Sequence, residues 1–257
     1  MYTSSALAAA ALLISSVSAH GHVQTVTVGT KSYQGWDPAL AYDNPVPATV
    51  GWPAQNLDNG FVNDYGSTDI ICHKSATPAQ AYFPVTAGQT IGLVWNTWPD
   101  SHKGPVINYL ASCGSSCTTV DKTKLSFAKV QAGGWISGNN PGTWETDNLI
   151  KNAFTGNFKV PSSLKTGLYV LRHEIIALHA AGSPNGAQAY PQCINLNVTG
   201  TGSSTVSGVP ATSFYKATDP GILFNLYSTW TSYTIPGPAL VSIAKRAVRM
   251  AGWFGDY

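Results

Sequence analysis

The feature that most limits what this chain can fold into is its rhythm. Short runs of β-branched, aromatic and alternating residues recur at 23–28, 81–85, 90–95, 106–110, 157–160, 169–178 and 193–198. Turn-forming pairs stand between them, at Asn59-Gly60, Ala87-Gly88, Pro141-Gly142 and Thr166-Gly167. A strand needs a period of two over a handful of residues, whereas a helix needs apolar positions three and four apart over a longer stretch. Helical patterning is weak and confined to 146–152 and the last residues of the chain. Many short strands at this spacing predict an all-β fold, an antiparallel β-sandwich. The Gly, Ser and Thr-rich stretch 200–213 reads as a surface loop, because the aromatic segment after it is too short to be a second domain.

The amino terminus places the chain. Residues 6–14 are an unbroken small and apolar run, and Val17-Ser-Ala19 offers the small side chains a signal peptidase accepts, although the first residues lack Lys or Arg. This predicts a secretory signal over 1–19. A membrane anchor would need about 20 apolar residues, more than twice this run, and no later segment is long enough. The expected product is an extracellular protein that starts at His20, with a body over 20–238 and a basic tail over 239–257. Setting aside Lys245, Arg246, Arg249 and Asp256 takes the 14 basic residues to 11 and the 12 acidic to 11. A neutral body lacks the field that nucleic acid or an anionic membrane demands.

Four cysteines in an exported chain should pair, and four allow three connectivities. Cys113 and Cys117 are close enough for a local bridge, which leaves Cys72 with Cys193. A zinc site of Cys72, His73, Cys113 and Cys117 is the competing reading, and export weighs against it.

A histidine at the first position has unusual chemistry, since its α-amine and its imidazole can chelate one ion. A second imidazole would complete a three-nitrogen, T-shaped set that suits Cu(II). The loop Trp98-Pro-Asp-Ser-His102-Lys-Gly-Pro105 offers one, with His102 near a turn after the 90–95 strand. His173-Glu174 invites comparison with the HExxH zinc-protease motif, but position 177 is Ala and the run reads as a strand. In a strand His173, Ile175, Ala177 and His179 share one face, and Arg172 and Glu174 the other, where they would form a structural pair. Tyr190, three residues before Cys193, could approach a metal axially, and Gln188 would point to the same side.

These residues carry a resemblance. His20-Gly-His-Val23, Asp100-Ser-His-Lys-Gly-Pro-Val-Ile-Asn-Tyr-Leu-Ala111, Leu171-Arg-His-Glu-Ile-Ile-Ala-Leu-His179, Gly186-Ala-Gln-Ala-Tyr-Pro-Gln-Cys193 and Asp219-Pro-Gly-Ile222 through Ile235-Pro-Gly-Pro238 are similar to the fungal cellulose-active lytic polysaccharide monooxygenases of the ninth auxiliary-activity family, once classed as endoglucanases. The resemblance implies an immunoglobulin-like sandwich with long loops and one copper ion on a flat substrate face. His20 and His102 would be the ligands and Tyr190 the axial neighbour. His179 and Gln188 would complete the hydrogen-bonded surroundings, and Tyr42 and Tyr227 would meet the substrate. Lys103 departs from the pattern, standing where a second histidine is often found, and the tail after Pro238 matches nothing in it.

The implied activity is oxidative cleavage of cellulose or a related β-1,4-glucan at C1 and/or C4. It would use a small-molecule or protein electron donor with hydrogen peroxide or dioxygen, and the protein would act as a secreted monomer. A non-catalytic copper or glycan binder on the same scaffold is the alternative. A glycoside hydrolase needs two carboxylates about 5–10 Å apart, and the chain has only two glutamates, Glu145 and Glu174. Asn197-Val-Thr199 is the only N-glycosylation sequon, and Lys245-Arg246 is either a dibasic processing site or a solvated face.

Overall fold

The computed structural model describes residues 20–243. The expected leader over 1–19 and the dibasic pair lie outside them. Twelve strands run in chain order: β1 (Val23–Val28), β2 (Lys31–Gln34), β3 (Phe83–Thr86), β4 (Thr90–Trp95), β5 (Val106–Gly114), β6 (Ser126–Gly133), β7 (Trp135–Ser137), β8 (Thr143–Trp144), β9 (Thr155–Lys159), β10 (Gly167–Ala177), β11 (Gln188–Thr199) and β12 (Val209–Pro210). Two short helices interrupt them, α1 (Asp69–Cys72) and α2 (Glu145–Lys151). No helix among the described residues is long and apolar enough to cross a membrane.

A four-stranded sheet in the order β2-β1-β4-β9 faces a six-stranded sheet in the order β12-β6-β5-β10-β11-β3. The two form the expected sandwich, with one departure: β3 joins β11 in parallel, Phe83 beside Leu196. Between the sheets lie Val26, Ile91, Leu93 and Trp95 from the small sheet, with Leu110, Leu171, Ile175 and Leu196 from the large one. The outer face of the large sheet is also covered. Trp36, Trp52, Tyr65, α1, Trp144, Phe214 and Tyr215 pack there against Ile107, Tyr109, Val170 and Ile176. Double coverage explains why 169–171 and 175–178 are apolar at every position and do not alternate, since both faces of the central strand are dry.

The central strand carries charge into this dry layer. Arg172 and Glu174 are both wholly buried on its outer face. Their side chains pair through two bonds, Nη1 to Oε2 at 2.7 Å and Nη2 to Oε1 at 2.6 Å. The guanidinium also donates to the carbonyls of Ile70 and Ile71 in α1, and it lies over the rings of Tyr109 and Phe214. Tyr215 donates to Glu174, and its hydroxyl also meets that of Tyr109. Burial alone would lower the guanidinium's pKa, but the facing carboxylate holds it above its ordinary value. On the inner face His173 sits between Asn108 and Trp95. The Trp95 indole donates to Nε2, so the proton is on Nδ1, which donates to Asn108 Oδ1.

Both bridges form as expected, Cys72 with Cys193 and Cys113 with Cys117, which removes the zinc alternative. The first ties α1 to β11. The chain after Pro238 does not leave the body at once. Leu240 bridges Lys129, Val241 N donates to Lys129 O, and the buried Lys129 ammonium donates to Pro236 O at 2.7 Å. Residues 241–243 are not helical, and the rest of the expected helical tail lies outside the described residues.

Two predictions follow from these buried groups. Glu174→Gln leaves Arg172 charged in a site with no counter-ion, and removing one partner of such a pair costs roughly 3–5 kcal/mol. Urea unfolding monitored by tryptophan fluorescence should show a loss of this size, and a loss below about 1 kcal/mol contradicts the account. Burial also pushes His173 and His73 down to about 3, so each stays neutral in the fold and takes a proton only on unfolding. Their contribution is complete above the unfolded value of 6.5 and is lost as pH falls toward 3. Metal-free protein should therefore lose about 1–3 kcal/mol per pH unit between pH 6 and 4. His173→Gln should reduce that slope by about one proton.

Candidate metal centre

Four strand ends meet at one rim of the sandwich. β1 starts there beside the end of β4, with Val23 opposite Trp95. β10 ends there beside the start of β11, with Ala177 opposite Gln188. At or just beyond these ends are His20–His22, the loop from Trp98 to His102, His179, and Gln188 as the first residue of β11. Residues distant in sequence therefore converge because antiparallel neighbours turn at the same edge.

The His20 and His102 rings are 5.4 Å apart between centroids, edge to face, and the His20 and Tyr190 rings are 5.7 Å apart. His179 lies over His102 with centroids 3.9 Å apart. Ser101 Oγ is 3.1 Å from His102 Nδ1, while His102 Nε2 is buried without a hydrogen-bond partner, as is His179 Nδ1. A buried polar atom with no partner is costly, and an imidazole nitrogen facing a second imidazole is what a metal ion would satisfy. Among the described residues no group of three or more His, Cys, Asp or Glu side chains could hold a metal. An ion here would be held by two imidazoles and would draw its remaining nitrogen from the main chain, so the residues fit a copper ion held by an amino-terminal histidine.

The electrostatics favour ligation. Burial, reinforced by His179 and His20, pushes His102 down to about 4. Burial lowers His20 and His179 as well. All three rings are therefore neutral at pH 7, the form a metal takes. Burial, with a smaller contribution from Asp58, raises Tyr190 well above its ordinary range, so its hydroxyl keeps its proton. That hydroxyl donates to Gln188 Oε1 at 2.8 Å. With its oxygen occupied, Gln188 has its amide NH2 left to offer as a donor.

Several contacts at the rim carry no signal in the sequence. The Trp98 indole donates to His102 O at 2.9 Å, and its ring packs edge-on against Tyr190. Phe61 lies beside both His20 and Tyr190. His22 donates through its backbone to Asn96 Oδ1, and its ring Nδ1 is 2.9 Å from Asn59 Oδ1. Only Trp98 could have been suspected, because it opens the motif that contains His102. Tyr42 and Tyr227 are 77% and 53% exposed. Tyr227 belongs to a segment joined to the rim, since Phe224 N donates to Ala181 O two residues after His179.

Two other chemistries fail on position. Glu174 is wholly buried and committed to Arg172 and Tyr215, whereas Glu145 is partly exposed at the start of α2, so Glu174 is not available as one of a hydrolytic carboxylate pair. His173 is held by Asn108 and Trp95 and cannot serve a zinc ion. A cavity of about 230 Å³ lined by Val106, Asn108, Glu145 and Leu149 contains none of the rim residues.

Residues 20–234 match the family model of Auxiliary Activity family 9, formerly GH61. The chain is 53% identical over 232 residues to an AA9 family lytic polysaccharide monooxygenase F of Malbranchea cinnamomea, covering 90% of this chain and 94% of that one. It is 54% identical to an AA9 family lytic polysaccharide monooxygenase I of Botryotinia fuckeliana, covering 90% and 87%. The extended catalytic domain of Hypocrea jecorina LPMO9A superposes with a TM-score of 0.84 at 50% identity, covering 87% of this chain and 91% of that one.

Proposed function

Because the chain belongs to Auxiliary Activity family 9 and is therefore a lytic polysaccharide monooxygenase, we propose that it is secreted, starts at His20 once residues 1–19 are removed, and cleaves cellulose or a related β-1,4-glucan as a monomer. The observation that carries this reading is the facing pair His20 and His102, with His102 Nε2 buried and unpartnered. His20 would hold copper through its α-amine and one ring nitrogen, and His102 would hold it through Nε2. An ion held there would supply one-electron chemistry for oxidation at C1 or C4 of the glycosidic linkage, with an external electron donor and hydrogen peroxide or dioxygen as co-substrates.

The remaining residues orient, donate and bind. Tyr190 stands beside the His20 ring as a neutral phenol, fixed by its bond to Gln188, and would neighbour the ion there. Gln188 offers its amide hydrogens toward the reacting face, and His179 holds or releases a proton at Nδ1. Tyr42 and Tyr227 present exposed rings for stacking on sugar faces. A site on an open rim suits a polymer lying across it. The sequon residue Asn197 is exposed on β11, where a glycan would leave the rim untouched.

Mass spectrometry of products from phosphoric-acid-swollen cellulose with ascorbate and copper should show oxidised cello-oligosaccharides. Ordinary reducing ends alone would indicate hydrolysis instead. Retaining even one residue before His20 turns the amine into an amide and removes a ligand, so copper affinity should fall steeply and activity should vanish. Full activity in such a form, with intact mass showing that the extension remained, would falsify the assignment of His20.

Gln188→Leu tests the donor role. No ligand is lost, so copper affinity should stay within a few-fold. Removing a donor aimed at developing charge typically costs on the order of 10²–10³ in rate, and peroxide-driven turnover should fall accordingly. Normal turnover, or a loss of copper as severe as in His102→Ala, rules that role out.

A further inference from the structure

A ligand carried on a loop is only as well placed as its neighbours hold it, and the residue after His102 is a lysine pulled almost wholly out of water. Lys103 is 8% exposed. Its ammonium donates to Asp147 Oδ1 at 2.6 Å and to Asp100 Oδ1 at 2.8 Å. The two carboxylates differ. The Asp100 side chain is 82% exposed, so that pair is screened by solvent, whereas the Asp147 side chain is 13% exposed. The other oxygen of Asp147 accepts the backbone N–H of Trp144 at 2.8 Å, at the start of α2. One carboxylate thus joins the His102 loop to the end of a helix.

The backbone on either side of Lys103 is held equally closely. Leu178 N donates to Lys103 O at 2.9 Å, and Gly104 N donates to Thr146 Oγ1 at 3.1 Å. A Cβ on Gly104 would come within 1.9 Å of Ile176 O, so the loop runs flush against the main chain of β10. The backbone after Lys103 is thus held both by β10 and by Thr146 of α2, and the Lys103 side chain adds a second, charged tie to the same helix. A ligand constellation works only within about 10–20° of its productive geometry. A small rotation at residue 103 would swing the adjoining imidazole relative to His20.

We propose that Lys103 and Asp147 are positioning residues, a desolvated clamp that sets the direction of the His102 ring and so the coordination geometry of the copper ion. The inference rests on the reading of His20 and His102 as ligands. The lysine stem is long enough to carry its ammonium from the His102 loop to α2, where it meets Asp147.

The test uses protein starting at His20 and measures copper affinity by calorimetry, the Cu(II) paramagnetic-resonance spectrum, and melting of the metal-free form. Lys103→Met removes the charge and keeps the stem, Asp147→Asn removes the acceptor charge, and Lys103→Gln keeps a donor and serves if the methionine variant does not fold. Residues that orient a metal ligand typically change affinity by roughly 10- to 100-fold. All three variants should weaken copper by about that range, with Lys103→Gln the mildest, and should show a shifted or multiple spectrum. Lys151→Gly, at the far end of α2, should lower the melting temperature and leave the spectrum unchanged. A single wild-type spectrum with wild-type affinity in the folded Lys103 and Asp147 variants overturns the proposal and leaves the clamp a purely structural contact. If Lys151→Gly alters the spectrum equally, general loosening of α2 is responsible and the clamp is again overturned. A wild-type protein that binds no copper overturns the ligand reading itself, and the clamp's role with it.

Discussion

A guanidinium and a carboxylate two residues apart on β10, both out of reach of water, set the terms for the rest of the molecule. A sheet can cover both faces with apolar side chains, but a charged pair in one face must be enclosed by groups that satisfy every remaining donor and acceptor. That requirement fixes what covers it. The carbonyls of α1 end on Arg172, Tyr215 and Tyr109 close around Glu174, and the rings of Tyr109 and Phe214 flank the guanidinium. Whether such a pair adds net stability over an apolar isostere is secondary, because the geometry it imposes on the covering loops is specific.

From there the constraint passes to the rim. Helix α1 carries Cys72, whose bridge to Cys193 holds β11, and β11 begins with Gln188 and Tyr190. On the other face of β10, His173 takes the Trp95 indole at the end of β4, and Trp95 packs on Trp98, which holds the His102 carbonyl. The two faces of one strand thus reach the two sides of the candidate centre by separate routes.

Much of this was legible in the sequence, for reasons particular residues make plain. The strands at 23–28 and 90–95 were read with their observed limits, because β-branched residues and flanking Gly mark them. Strand β11 starts five residues earlier than the 193–198 run suggests, since Gln188-Ala-Tyr-Pro carries little strand signal and its pairing with β10 decides the matter. Strand β6 went unread because Lys129 and Gln131 break its apolar pattern, and the lysine is buried only by virtue of Pro236, distant in the chain. The parallel pairing of β3 with β11 joins segments more than a hundred residues apart, and nothing local encodes it. His20, His102, His179, Gln188 and Tyr190, which the fold brings to one rim, were legible as candidates because each sits in a dense motif. Phe61, Asn59 and Asn96 were not, since an isolated aromatic or amide in a loop looks the same whether it supports a metal centre or faces water.

Chain ends ordinarily fray, but the segment after His20, the proposed mature terminus, does not have that freedom. Gly21 and His22 are buried, His22 is bound front and side by Asn96 and Asn59, and a Cβ at position 21 would come within 2.1 Å of Thr97 O. Only glycine threads this gap. Fixing one residue's backbone costs roughly 1–2 kcal/mol, and here folding has met that cost before any ion arrives. An arriving ion encounters a bite of set width, so little of its affinity is spent on ordering the terminus. Ions whose preferred angles differ gain no help from a flexible end that could reshape itself around them. Selectivity at this terminus would in that sense be a property of Thr97 and two asparagines as much as of the histidines proposed to hold the ion.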